Sequence, residues 1–208
     1  KETFLDSDSG NQFYNEISGS QSTNSNHRID FRIEYEMDKN NSLIFTPRVS
    51  FQNNESNSMQ SGETKLGNST LLNSTNNQQN SATKGYNFNN DILFRHRFAK
   101  AGRTLSLNFN TGINDQNGNR ELYARNLYYT NLTTPGDTID QQAYTSSDGL
   151  KLGGNLVYTE PLSKTGQLQA NYSVSLSNSN SLKETFNWDP VRRSYSDLDS
   201  ILSNNFDN

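Results

Sequence analysis

The chain has 208 residues, a formal net charge of −4, no cysteine and only 30% hydrophobic residues. The absence of cysteine excludes a disulfide framework and a thiolate metal site, and a pI near 5.2 argues against a nucleic-acid-binding protein. Asn and Ser together make up about a quarter of the chain, far above ordinary usage. This polarity favours disorder, whereas the small net charge and the 11% of aromatic residues favour a folded chain.

The region from 28 to 53 predicts a long β-hairpin. From residue 29 to residue 37 every odd position is apolar, and the even positions between them are Asp, Arg or Glu. This period of two is typical of a strand with one apolar and one charged face. The alternation returns after Asp38-Lys39-Asn40-Asn41, whose residue types favour a tight turn. We therefore predict strands at 28–38 and 42–53.

Two further hairpins show the same alternation. The second has strands at 85–98 and 104–114, joined by a turn in which Gly102 supplies an unusual φ. The third has strands at 149–159 and 167–177, joined by a turn from Glu160 to Gly166.

Long polar segments lie before, between and after the hairpins. They contain little apolar periodicity and predict long loops, with a short helix at 195–202 in the last. These segments are 1–26, 54–84, 114–148 and 178–208. Because both ends of the sequence fall in such segments, we expect it to be a piece of a longer polypeptide.

Six strands with one apolar face each can be used in two ways. In a soluble β-sandwich the apolar faces meet in a core, whereas in a membrane barrel they face lipid and the polar faces line the lumen. Three features favour the barrel: the charged polar face, the alternation of short turns with long loops, and the aromatic residues near the short-turn ends. The aromatic set is Tyr35, Phe94, Phe98 and Tyr158 near the short turns, with Tyr86 and Tyr172 placed higher.

Four segments carry a family resemblance. They are H-R-I-D-F-R-I-E-Y at 27–35, L-I-F-T-P at 43–47, Y-T-E-P-L-S-K-T-G-Q-L at 158–168 and L-D-S-I-L-S-N-N-F at 198–206. Through them the chain resembles the barrel portion of the large TonB-dependent-receptor-like outer-membrane proteins of Bacteroidetes. The resemblance implies an all-β antiparallel meander of about six long strands, a slice of a transmembrane barrel with extracellular loops. It also implies a non-enzymatic transport role, with a plug domain and the remaining barrel strands as neighbours.

This interpretation assigns each strand residue to a face. The residues expected to contact outer-membrane lipid include Ile29, Phe31, Phe88, Ile92, Leu107, Phe109, Leu156 and Tyr172. The residues expected to line the lumen include Arg32, Glu34, Arg48, Arg95, Arg97 and Lys151. If the slice folds alone, its apolar face and open edge strands predict a sheet that curls on itself or an oligomer.

No recognisable catalytic or metal-binding motif is present. His27 opens a strand, and His96 falls on an apolar face, where a packed neutral imidazole is expected. The stretch from Asp115 to Glu121 resembles the start of a calcium loop, but its glycine is misplaced and no glutamate stands at the twelfth position. We therefore predict no enzymatic activity, cofactor, metal or nucleic acid.

Aromatic residues in the predicted long loops are the candidates for ligand or partner contacts. Exposed rings beside Asn and Arg can stack on a sugar or anchor a protein, and packing of the loops against each other is the alternative. The candidates are Tyr123, Tyr128, Tyr129, Tyr144, Trp188 and Tyr195. They are compatible with a surface glycan or nutrient ligand, and also with a second function, a soluble cell-surface β-sandwich that binds glycan or protein.

Overall fold

The strands form a single antiparallel sheet in meander order. The structure, a computed structural model, describes residues 2–5 by their backbone and residues 11–67, 70–129 and 135–208 in full. The strands are β1 (Glu2–Leu5), β2 (Gln12–Asp30), β3 (Ile33–Glu36), β4 (Asn41–Leu66), β5 (Thr70–Arg97), β6 (Thr104–Tyr128), β7 (Gly136–Pro161), β8 (Gln167–Asp189), β9 (Ser194–Leu198) and β10 (Asn204–Asp207). The sheet is open, with β1 at one edge and β10 at the other, and the predicted all-β meander is confirmed.

β2 and β3 are two parts of one strand. Both pair with β4, and the register of β2 carries through to β3 without a shift. The interruption lies opposite Pro47, which has no N–H to donate, so that only the bond from the Phe31 N–H to the Pro47 carbonyl, 3.0 Å, remains. Six long strands therefore cross the sheet, as predicted: β2 with β3, and β4 to β8.

The long strands extend far beyond the predicted ends. β4 to β7 contain 26, 28, 25 and 26 residues. The predictions of long loops over 54–84, 114–148 and 178–208 are therefore wrong for most of these residues. The predicted loop over 1–26 is wrong at Glu2–Leu5 and from Gln12 onward. The extensions carry Asn, Ser, Gln and Thr on both faces, so they lack the hydrophobic alternation that marks a strand. Residues 1, 6–10, 68–69 and 130–134 of these segments lie outside the described residues.

The predicted helix at 195–202 is also wrong. Residues 194–198 form β9, whose side chains alternate across the strand rather than following a helical period. The following turn is set by Asp199, whose Oδ1 accepts the N–H groups of Ile201 and Leu202 at 3.0 Å each. An Asx turn of this kind competes locally with helix.

The three predicted short turns are confirmed, and all lie at one end of the sheet, called the turn end below. In the first, Asp38 Oδ1 accepts the N–H groups of Asn40 and Asn41 at 2.7 and 2.9 Å. In the second, Gly102 has φ +84°, the left-handed conformation that glycine tolerates. The opposite end of the sheet is called the far end.

The sheet is one layer thick, so it has hardly any core. Among the described residues, the buried hydrophobic side chains are Ile44, Ala124 and Ala143. The accessible surface is 14904 Å², whereas a compact protein of this mass exposes about 9,800 Å². The strands are held together chiefly by their hydrogen-bond ladders, and both broad faces of the sheet are left uncovered.

Candidate functional site

The pairing register separates the predicted lipid-facing residues from the predicted lumen-facing ones. Residues directly opposite each other in an antiparallel pair share a face. One row runs through Ile33, Phe45, Ile92, Phe109, Gly154 and Val174. A row on the other face runs through Asp30, Arg48, Asn89, Gly112, Lys151 and Ser177. We call these the apolar face and the polar face.

A charge-free band crosses the apolar face between two charged rows. Arg103 is paired with Glu160 at the turn-end boundary, and Asp115 lies opposite Asp148 at the other boundary. Between these rows the described part of the apolar face carries no Asp, Glu, Lys or Arg, whereas the polar face carries charges such as Arg48. Twelve residue steps separate the two rows along β6, which is about 40 Å along the strand. Strands tilted by ~40°, as in membrane barrels, would give this section a height of about 30 Å. We call this section the apolar band.

Aromatic residues stand at both boundaries of the apolar band. His96 lies opposite Leu105 and thus in the same row as Tyr158, close to the turn end. Phe51 and Tyr86 lie in the row of Asp115 at the other boundary. Tyr172 was expected to lie farther from the short turns than Phe94. That placement is wrong, because the short β7–β8 turn puts Tyr172 in the same row as Phe94.

The β8 edge is covered at the far end and open beside the apolar band. Residues 180–183 pair with β10 and residues 186–189 with β9. Between them, the Thr185 N–H donates to Ser203 Oγ at 2.9 Å and the Thr185 carbonyl accepts from the Asp199 N–H at 2.8 Å. In the described part of the chain no strand lies beside residues 167–178, where Leu176 is 69% exposed.

Glu160, at the end of β7, binds the β5–β6 turn at the boundary of the band. Its carboxylate accepts from Arg103 Nε and Nη2 at 2.6 and 2.9 Å, from Lys100 Nζ at 2.7 Å and from the Tyr158 hydroxyl at 2.7 Å. The bonds from Arg103, Lys100 and Tyr158, in that order, hold the pKa of Glu160 well below its usual range. The β5–β6 turn is therefore fixed to the end of β7 by a charged cluster.

On the polar face, two glycines of β7 make room for asparagine side chains of β6. A Cβ at Gly153 would collide with the side chain of Asn110 on β6, and one at Gly149 would collide with that of Asn114. The asparagine side chains therefore lie across the neighbouring glycines. The polar face of β7 is therefore low at Gly149 and Gly153, on either side of Lys151.

Four of the six aromatic candidates lie together at the far end of the apolar face. Trp188 and Tyr195 pack edge to face with ring centroids 5.2 Å apart, and the Tyr195 hydroxyl donates to Asp140 Oδ1 at 2.8 Å. Tyr123 lies opposite Asp140 on the neighbouring strand. Tyr144 packs edge to face on Phe186 with centroids 6.2 Å apart. We call the set of Tyr123, Tyr144, Phe186, Trp188 and Tyr195 the aromatic patch.

Carboxylates lie between the rings of the aromatic patch. Burial, the hydrogen bond to Asp140 and the negative charges of Asp140 and Glu121 raise the pKa of Tyr195 to about 12. The Tyr195 hydroxyl is therefore a donor over the whole neutral range. Glu184 lies opposite Tyr144 on β8 and adds a third carboxylate to the same surface.

The other two aromatic candidates do not join this patch. Tyr128 lies opposite Asn73 on the polar face and is 47% exposed. The Tyr129 hydroxyl lies 3.3 Å from Ser74 Oγ. Sequence reasoning missed Asp140, because recognising it depends on knowing that β6 and β7 continue in register through a stretch without hydrophobic alternation.

The histidines and the calcium-like stretch form no reactive cluster. His96 packs edge to face on Phe98 at 4.4 Å, with its Nδ1 2.7 Å from Asn41 Oδ1. His27 Nε2 lies 3.3 Å from Ser25 Oγ. Residues 115–121 form part of β6. Across the described ranges, no group of three or more His, Cys, Asp or Glu residues could hold a metal ion.

No protein-family model and no curated protein matches the chain. In the portion that the structure describes, no helix has the length and apolar character needed to span a bilayer. The function has to be argued from the geometry of the sheet.

Proposed function

We propose that this protein forms part of the wall of a transmembrane β-barrel in the bacterial outer membrane, in a TonB-dependent-receptor-like transporter. The apolar band is the observation that carries the proposal. A lipid-facing surface needs an uncharged stripe about 25–30 Å tall on one face only, with aromatic residues at its boundaries. The opposite face would line a hydrated lumen and so tolerates Arg48, Arg95 and Lys151.

The open edge of the sheet supports the same proposal. In hydrocarbon each unpaired N–H or C=O group costs several kcal/mol, so a strand edge beside the apolar band requires another strand. β2 runs toward the turn end and β8 runs away from it. An antiparallel strand added before β2 or after β8 would therefore connect to it at the far end of the sheet. Further strands added in this way could extend the sheet until it closes.

The strands continue beyond the band toward the far end. Outside the aromatic patch, the extensions are largely polar on both faces, which suits an environment with water outside as well as inside the wall. The proposed role is to separate the lumen from the bilayer and, through the strand extensions, to continue the barrel wall into water beyond the bilayer surface. Selection of the transported substrate would lie with the polar face and with the remainder of the barrel.

Cysteine labelling along β6 tests the proposal, because the chain has no native cysteine. Single cysteines are introduced at successive positions from 105 to 123, and the protein in lipid vesicles is treated with a water-soluble maleimide. Between Leu105 and Ile113 we expect odd positions to be protected and even positions to react. Beyond Asp115 both sets should react, because the band ends there.

The labelling pattern separates the wall from the soluble alternative. If Phe109→Cys and Asn110→Cys react equally in vesicles, the apolar face does not contact lipid and the proposal is wrong. A chain that stays monomeric in plain buffer, with the odd positions protected there as well, would instead support the soluble sandwich. Labelling of urea-unfolded protein gives the reference reactivity of each cysteine.

A further inference from the structure

We propose that the aromatic patch is a binding site for uncharged oligosaccharides. The inference goes beyond the wall function and rests on other residues. The patch lies on the apolar face but outside the apolar band, from the level of Tyr144, opposite Asn119 and four residues beyond Asp115 along β6, to that of Tyr123, eight residues beyond it. These steps correspond to about 13–26 Å along the strand, or ~10–20 Å above the band at the same tilt. At this level the rings have no hydrocarbon to contact and are not explained by the wall.

The rings of the patch are exposed and held in place before any ligand arrives. Trp188, Tyr123 and Tyr144 are 40%, 43% and 44% exposed. Trp188 packs against Tyr195 in an edge-to-face arrangement, and Tyr195 is fixed in turn by its bond to Asp140. A preorganised aromatic surface binds with a smaller loss of side-chain entropy. The rings span β6 to β9, so the surface is about 14 Å wide and can accept more than one sugar unit.

The polar groups between the rings match hydroxyl-rich ligands. Sugar rings offer C–H surfaces that pack on aromatic faces, together with hydroxyl groups that donate to carboxylates. Asp140 keeps acceptor capacity beyond the bond from Tyr195, and Glu121 receives only a long contact of 3.5 Å from Asn80. Among the described residues, the Glu184 side chain and the hydroxyls of Tyr123 and Tyr144 form no hydrogen bond and keep their full capacity for a ligand.

The charge of the patch selects among ligand classes. Its carboxylates, Asp140, Glu121 and Glu184, form no ion pair among the described residues. They outnumber Arg125, which lies on the same face two residues beyond Tyr123. Phosphorylated, sulfated or uronic-acid sugars would be repelled. A protein partner fits less well, because the centres of protein interfaces are depleted of charged residues, whereas here a carboxylate stands between the rings.

Trp188 allows direct measurement of binding. It is the only tryptophan in the chain, so its fluorescence reports a sugar stacking on the patch. The full chain in detergent is screened against an array of uncharged and anionic glycans, and each hit is titrated by fluorescence and by calorimetry. We expect saturable binding of at least one uncharged oligosaccharide and weaker binding of its sulfated form.

Matched variants assign the binding to the patch. By calorimetry, Trp188→Ala and Tyr123→Ala should each weaken it by about tenfold or more. Tyr195→Phe keeps the ring but loses the bond to Asp140, and should weaken binding by about 2- to 10-fold. Tyr128→Ala removes a ring of similar exposure from the polar face and should leave glycan binding unchanged. Circular dichroism checks that each variant is folded.

The possible outcomes decide the proposal. It is overturned if no uncharged glycan on the array binds, if anionic glycans bind as tightly, or if the patch variants bind as the parent chain does. A partner found to be protein alone also overturns it. Titration with the free oligosaccharide and with vesicles bearing the same sugar on a glycolipid distinguishes a soluble ligand from a membrane-anchored one. None of these results depends on cysteine labelling within the apolar band.

Discussion

Replacing Phe109 by arginine puts a charge at the centre of the apolar band. Phe109 lies midway between Arg103 and Asp115, six residues from each, and its side chain is 46% exposed on the apolar face. It is therefore about 15 Å from either boundary of the band. Arginine at the midplane of a lipid-facing barrel surface costs about 2–4 kcal/mol. The folding equilibrium in a bilayer should fall by roughly 30- to 700-fold, as measured by urea unfolding in vesicles.

Two controls separate this cost from an ordinary effect of the substitution. Asn110→Arg places the same charge one residue away on the polar face, where Gly153 leaves room, and should change stability by less than about 1 kcal/mol. Asn117→Arg stays on the apolar face but lies beyond the band, where the penalty falls to about 0–1 kcal/mol. If Phe109→Arg is no more destabilising in vesicles than either control, the band does not face hydrocarbon.

Three further predictions concern local geometry. Gly153→Val should lower the free energy of unfolding by about 1–3 kcal/mol, because the new side chain collides with Asn110, and Asn110→Ala should restore it. Gly154→Ala on the apolar face, where a Cβ meets nothing closer than ordinary contact distance, should leave that free energy unchanged or raise it slightly. Urea unfolding measures all three variants. Arg193 has φ +53°, so Arg193→Gly should raise the melting temperature slightly, because about 1–2 kcal/mol of strain is exchanged for a smaller entropy cost. The depressed pKa of Glu160 means that its contribution to stability is fully present above the ordinary value of 4.5 and is lost progressively as the pH falls from there through the much lower pKa of the folded state. The difference in hydrogen exchange at the β5–β6 turn between the parent chain and Glu160→Gln should therefore be largest at pH 6 and shrink steadily as the pH falls below 4.5.

The fold could be predicted from sequence only where one face of each strand is apolar. Between Ile29 and Phe51 the alternation gives the strands, their faces and the turn at Asp38, because burial or lipid contact fixes register. The extensions offer no such signal. A strand such as β4 from Asn53 to Leu66 has polar side chains on both faces, and it forms because it continues a ladder that is already in register.

The aromatic patch shows the same limit at the level of a site. The sequence marks Tyr123, Tyr144, Trp188 and Tyr195 as candidates by residue type alone. It does not place Trp188 beside Tyr195 or bring Asp140 between the rings, because these contacts depend on strand pairing through polar segments. Conversely, Tyr128 is a candidate by the same residue type, and only the pairing register shows that it lies on the polar face.

The low hydrophobicity of the chain follows from the proposed architecture and does not oppose it. A mean hydropathy of −0.94 and 30% hydrophobic residues would be unusual for a protein that crosses a membrane by helices. In this sheet the apolar band occupies about half the length of each long strand and only one of its two faces. A wall of this kind therefore needs apolar side chains at about a quarter of its strand positions. The remaining positions face water on either side of the wall, which accounts for the abundance of Asn and Ser.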